Sequence, residues 1–185
     1  MTGEDRSALI FRSRSDSMAW GYACPLHDGE TPEQAIRRVL DHLADLIPIL
    51  GRIDYFFAGS TGGNDVRLRD LRDLPTAEWQ CVIRQDFPPE YSRETSIGLV
   101  VEAEAADGTT HILVNQNGLR VIHTEDEAFT GPLPAAILVT LDIGFNIFDP
   151  LPADASPTQI EQSARNRPKL QQFLTAIRDD LNALF

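Results

Sequence analysis

Lysine is almost missing from this chain: Lys169 stands alone beside fifteen arginines. That bias fits an arginine-rich codon usage and carries no functional meaning. Cysteine is scarce as well. Cys24 and Cys81 match no metal-ligand spacing, so both are expected to be reduced, buried thiols. No apolar run approaches the roughly 18 residues of a membrane helix. The opening stretch carries Glu4 and Asp5 where a secretory signal has a basic lead and an apolar core. A cytoplasmic protein without a membrane partner is expected.

The signatures of catalysis are missing too. "AGSTGG" at 58–63 lacks the Lys-Ser/Thr of a phosphate loop and reads as a flexible turn. Ser60 has no nucleophile-elbow sequence around it, and Cys81 lies beside Val82 and Ile83 on a helix expected to be buried. His27 follows Cys24 by three positions, and His111 and His123 fall on neighbouring predicted strands. A zinc site still needs third and fourth ligands at recognisable spacing, which the sequence does not offer. No cofactor, no metal and no catalytic residue is expected. Glu102 and Glu104 share a strand face about 7 Å apart by strand geometry, but on an open sheet face little would raise a carboxylate pKa.

What remains is a globular composition. With 42% hydrophobic residues and nine Phe, the 185-residue chain can bury a sizeable core, and no linker divides it. One domain spans 1–185, with residues 1–15 expected outside the ordered fold. A strand is predicted at "SMAWGYA" (17–23), then a helix with Thr31 as N-cap, Pro32 at its first position and Gln34 closing a capping box. Its apolar stripe is Ile36, Val39, Leu40, Leu43, Ile47 and Leu50, with Pro48 ending or kinking it. A strand "RIDYFFAG", a polar loop and a short helix "LPTAEWQCVIRQ" follow. From residue 95 the period becomes two: Ile97, Leu99, Val101, Ala103 and Ala105 alternate with Gly98, Val100, Glu102 and Glu104. Asp107-Gly108 and Asn117-Gly118 are hairpin dipeptides, predicting strands at 95–106, 109–115 and 119–124. A further strand at 135–145 and a C-terminal helix or kinked helix pair, starting at Ser156-Pro157, complete the pattern. The fold class is α+β: an antiparallel meander sheet of about four to six strands packed with two to four helices.

Charge is distributed unevenly over that pattern. Residues 94–164 hold eleven acids and Arg120 as their single base, supplying most of the net charge of −12. Direct nucleic-acid binding is disfavoured, and association with a basic protein is favoured. "HTEDEAF" sets Glu125, Asp126 and Glu127 before Phe129, and "LDIGFNIFDP" mixes Asp142 and Asp149 with Phe145 and Phe148. Aromatic rings beside steering charges are the ingredients of a protein-binding hot spot. These eight residues, with Glu102 and Glu104, are the candidate partner-binding set.

The segment "AWGYACPLHDGETPEQAIRRVLDHLADLIPILGRIDYFF" resembles the opening of the immunity protein 52 family of bacterial polymorphic toxin systems. Shared features are an aromatic-Gly strand, a short polar loop, a helix start with a following paired Arg, then Ile-Pro and aromatic residues. "ETSIGLVVEAEAADGTTHILVNQNG" resembles the family's central strands, so the similarity spans roughly residues 18–145. The resemblance implies an antitoxin that binds and neutralises a cognate secreted toxin, in this family often a nuclease delivered by contact-dependent or type VI secretion. Its partner would be a toxin with a basic surface. An effector chaperone or adaptor that does not inhibit, and a small hydrolase, are the alternative readings.

Overall fold

Six strands pair in one antiparallel sheet, with helices packed over one of its faces. The computed structural model describes residues 6–7, 13–59, 66–71, 73–85, 94–148, 151 and 153–181. The strands are β1 (Ser13–Pro25), β2 (Gly51–Gly59), β3 (Val66–Asp70), β4 (Glu94–Glu104), β5 (Thr110–Thr124) and β6 (Ala136–Phe145). The helices are α1 (Pro32–Leu46), α2 (Thr76–Gln85), the single turn α3 (Glu127–Thr130) and α4 (Pro157–Asp180). The strand order is β1-β6-β5-β4-β2-β3. β4, β5 and β6 form a meander, β2 and β3 flank it on one side, and β1 closes the other. The expected α+β class holds, as a single domain.

β1 and β2 lie three strands apart, so the chain between them must cross the sheet. α1 makes that crossing and packs on β5 and β6. Its start is built as the sequence predicts: Thr31 caps Gln34 N–H, and the Gln34 side chain returns to Thr31 N–H. Ile36, Val39, Leu40, Leu43 and Ile47 are buried against Ile97, Leu99, Val101, Leu119, Val121, Val139 and Leu141 of the sheet. α2 docks beside α1 through polar ties: Gln80 donates to the Ala44 carbonyl at 2.7 Å, and Arg37 to the Arg84 carbonyl at 2.8 Å.

Several expectations need correction. Asn117-Gly118 is no hairpin; β5 runs through it as one 15-residue strand. Gly118 has φ 61 and sits in a bulge between the pairs Leu99–Asn115 and Ile97–Leu119. A positive-φ glycine serves a bulge as well as a turn, so the dipeptide alone does not distinguish them. Asp107-Gly108 does turn the chain, but in a wider loop, since the last strand pair is Glu104–Thr110. β3 lies in a stretch expected to be loop. Cys81 is exposed, because Trp79 and Ile83 take the inward face of α2. Of residues 1–15, the segments 1–5 and 8–12 fall outside the described residues. Ser13 begins β1, while Arg6 accepts from Asp107 N–H through its carbonyl and ion-pairs with Glu161.

α4 is continuous through Pro168, not a kinked pair. Its two halves bury different chemistry. Leu170, Phe173, Ile177 and Leu181 enter the core, while Thr158, Gln162, Ser163 and Asn166 bury polar groups. Asn166 is fully buried and clamps the end of β4: its Oδ1 accepts from Glu104 N–H at 2.8 Å, and its Nδ2 donates to the carbonyls of Glu104 (2.8 Å) and Gln162 (2.7 Å). The amide thereby stands in for a neighbouring strand. Asn166→Ala removes all three bonds without restoring water to those groups, and a loss of about 2 kcal/mol or more in chemical denaturation is expected.

Candidate functional site

The ten candidate residues do not form one patch. β5 separates them, because Glu102 pairs opposite Ile112 near its start while Glu125 follows its end. At about 3.3 Å per residue that is roughly 40 Å. Glu102 is exposed beside Ile112, which is 55% exposed. Glu104 is no free surface acid: its carboxylate binds Lys169 Nζ at 2.6 Å and lies 3.7 Å from Arg165 Nη1. The Lys169 hydrogen bond holds the Glu104 carboxyl below its usual range. Glu104 is thus part of the attachment of α4, and Glu102 and Glu104 do not make a pair of free carboxylates.

The second expected cluster divides as well. Phe148 is 4% exposed and belongs to the core, and Phe145 is half-buried against it. Their alternation with polar residues resembles a surface motif, but a 3-10 turn (Asn146–Phe148) directs Ile147 and Phe148 inward under α4. Asp142 lies mid-strand on β6, opposite Ala19 and Gly118, half-buried. Asp149 falls outside the described residues.

The segment Glu125–Phe129 remains, and its local structure accounts for its exposure. Thr124 Oγ1 accepts from Asp126 N–H at 3.1 Å, and Asp126 Oδ1 accepts from Ala128 N–H at 2.9 Å, capping α3. Gly131, at φ 58, ends the turn after four residues, and Thr130 takes the inward position. Phe129 is therefore pushed outward and is 53% exposed. Glu125, Asp126 and Glu127 are exposed around it and form no ion pair among the described residues.

Strand order adds an acid that periodicity could not supply. Ala136 of β6 pairs with Thr124 of β5 on one side and Pro25 of β1 on the other. The loop after β1 therefore emerges at the same end of the sheet, bringing exposed Asp28 toward the same side as Glu125–Glu127. Glu30 in that loop behaves differently. Its carboxylate accepts from Arg38 at 2.9 and 3.0 Å and from His27 N–H at 2.9 Å, and Arg38 also holds the Pro25 carbonyl. Glu30 fixes the loop; Asp28 is left to solvent.

The histidines make no ligand set. His111 and His123 share β5 twelve positions apart, and His111 Nε2 contacts the Ser7 carbonyl at 2.7 Å. Among the described residues no group of three or more His, Cys, Asp or Glu is arranged to hold a metal ion. Burial pushes the Cys24 thiol up to about 11, against the opposing charge of Arg38. The open hollow between α1 and α2 is lined by Asp41, His42, Asp45 and Arg84, and Arg84 binds Asp45 there at 2.6 Å. Among the described residues no helix is long and apolar enough to cross a membrane. No protein-family model, curated protein or solved structure matches the chain.

The Arg38 hydrogen bond, the largest influence on Glu30, holds its carboxyl below the usual 4.5. A depressed folded-state pKa means a contribution present above the unfolded pKa and lost as pH falls through the folded one. Glu30→Gln is expected to cost about 1–3 kcal/mol at neutral pH. Denaturation across pH should show the gap to wild type narrowing below the ordinary glutamate range.

Proposed function

We infer that this protein is an immunity protein: it binds a basic toxin domain stoichiometrically through the acidic end of its sheet and blocks it. The observation that carries this reading is Phe129, exposed on a fixed turn beside the exposed acids Glu125, Asp126 and Glu127, which form no ion pair among the described residues. An exposed aromatic is a ready anchor, worth about 1.5–3 kcal/mol when fully buried. Unpaired acids around it lose no existing salt bridge when a cation arrives. They speed encounter with a positive surface and set its orientation.

A nuclease is the toxin class that fits. Such an enzyme must present Lys and Arg to a phosphate backbone, so its groove attracts an acidic surface for the same reason that it attracts its substrate. The resemblance of residues 18–145 to immunity protein 52 supports the same reading, with action inside the cell that the toxin would otherwise harm. An adaptor would use the same charges yet leave the bound toxin active.

Asp126→Ser keeps a residue that caps helices well, so replacing Glu125, Asp126 and Glu127 together by Ser removes charge while preserving α3. Stopped-flow association with the basic partner at low salt should slow by about tenfold and lose most of its salt dependence. An unchanged rate removes this turn from the interface. Phe129→Ala should instead act on the dissociation rate.

A further inference from the structure

The two edges of the sheet differ in charge. β3, at one edge, reads Val-Arg-Leu-Arg-Asp, with three charged residues of five. β1, at the other, has no Lys, Arg, Asp or Glu from Ser17 to Pro25, and its pairing among the described residues is with β6. A strand edge presents N–H and C=O groups that template another strand, and proteins commonly guard it with charge, proline or a bulge. Between Met18 and Cys24 this edge carries none of these, and its register with β6 is unbroken. Ala19 and Gly21 are exposed, and Trp20 is half-buried. A chain with net charge −12 repels its own copies over most approaches. Along this stretch the strands of two copies bring no like charges face to face, and Arg178 of α4 is the charge felt at Tyr22.

We propose that β1 is a self-association edge: a second copy adds its own β1 antiparallel, with Gly21 on the two-fold axis, making one continuous sheet. Directly opposite residues of an antiparallel pair share a face, so this register keeps the helices of both copies on the same side. Trp20 of one copy then lies opposite Tyr22 of the other on the helix-covered side, and Ala19 opposite Ala23 on the far side, Tyr22 and Ala23 each being buried within its own copy. Aromatic meets aromatic and small meets small, the self-complementarity that an isologous contact requires. Seven or eight residues of strand edge bury well under the roughly 1,000 Å² of a stable interface. The dimer is accordingly a reversible one.

Sedimentation velocity on the full chain, over a concentration series at low and raised salt, tests this. A monomer–dimer equilibrium that tightens with salt is expected, because salt screens the repulsion between the two acidic copies. Gly21→Lys places a charge on the edge. Its Cβ meets Leu138 Cδ1 at 3.8 Å, an ordinary contact, so the fold is kept. Self-association should weaken by about tenfold or more, although the added lysine lowers the overall repulsion. If Gly21→Lys lost its circular-dichroism signal, Ala19→Lys would carry the same test. A protein monomeric throughout, a dimer that loosens with salt, or one that a folded lysine variant leaves unchanged overturns the proposal. The salt response also separates it from binding of a basic partner, which loosens as salt rises.

Discussion

The sheet depends on how closely Gly118 approaches β4. β5 pairs with β4 along one side and β6 along the other, so any fault in it would break the meander. Between the pairs Leu99–Asn115 and Ile97–Leu119, three residues of β5 face Gly98 alone. That accommodation requires Gly118 at φ 61, where a Cβ would fall 2.0 Å from the Ile97 carbonyl oxygen. Gly98 is constrained from the other side, since its own Cβ would lie 2.2 Å from the Tyr55 ring. Two extra residues keep the alternation in phase. Leu113 before the bulge and Leu119 and Val121 after it all reach the same core.

Much of this was legible locally. Thr31-Pro32 and Ser156-Pro157 both cap helices with the full reciprocal box, because that motif is satisfied within four residues and needs no distant contact. The alternation of β4 is equally self-contained. What escaped depends on the far side of a contact. Asn117-Gly118 has the same backbone requirement in a turn and in a bulge, and only the pairing with Ile97 decides between them. Glu104 looks like one more solvated acid until α4 returns, after more than fifty residues, with Lys169 and Asn166. Phe148 and Phe129 have similar acidic surroundings in sequence. A 3-10 turn buries one, and a capped turn ended by Gly131 exposes the other.

The acidic stretch consequently divides by role. Glu104 and Glu30 are bound to cations and hold α4 and the first loop in place. Glu125, Asp126 and Glu127, with Asp28 nearby in the strand order, keep their charge available. An acidic protein built this way separates the charges that maintain its fold from those left available at its surface. Loss of the second kind should therefore leave the first undisturbed, which is the physical content of the immunity reading. The uncharged stretch of β1 from Ser17 to Pro25 is a third region, where hydrogen-bonding groups rather than charge set what can approach.

The most direct measurement is affinity purification of the tagged protein from its native cells at low and raised salt. Co-purifying chains are identified by mass spectrometry, and the isolated pair is assayed for nucleic-acid cleavage. The account predicts one stoichiometric partner with a basic nuclease domain, whose cleavage stops when an equimolar amount of this protein is added. No stoichiometric partner in cells expressing the neighbouring genes, or a partner that cleaves equally well in the complex, would contradict it.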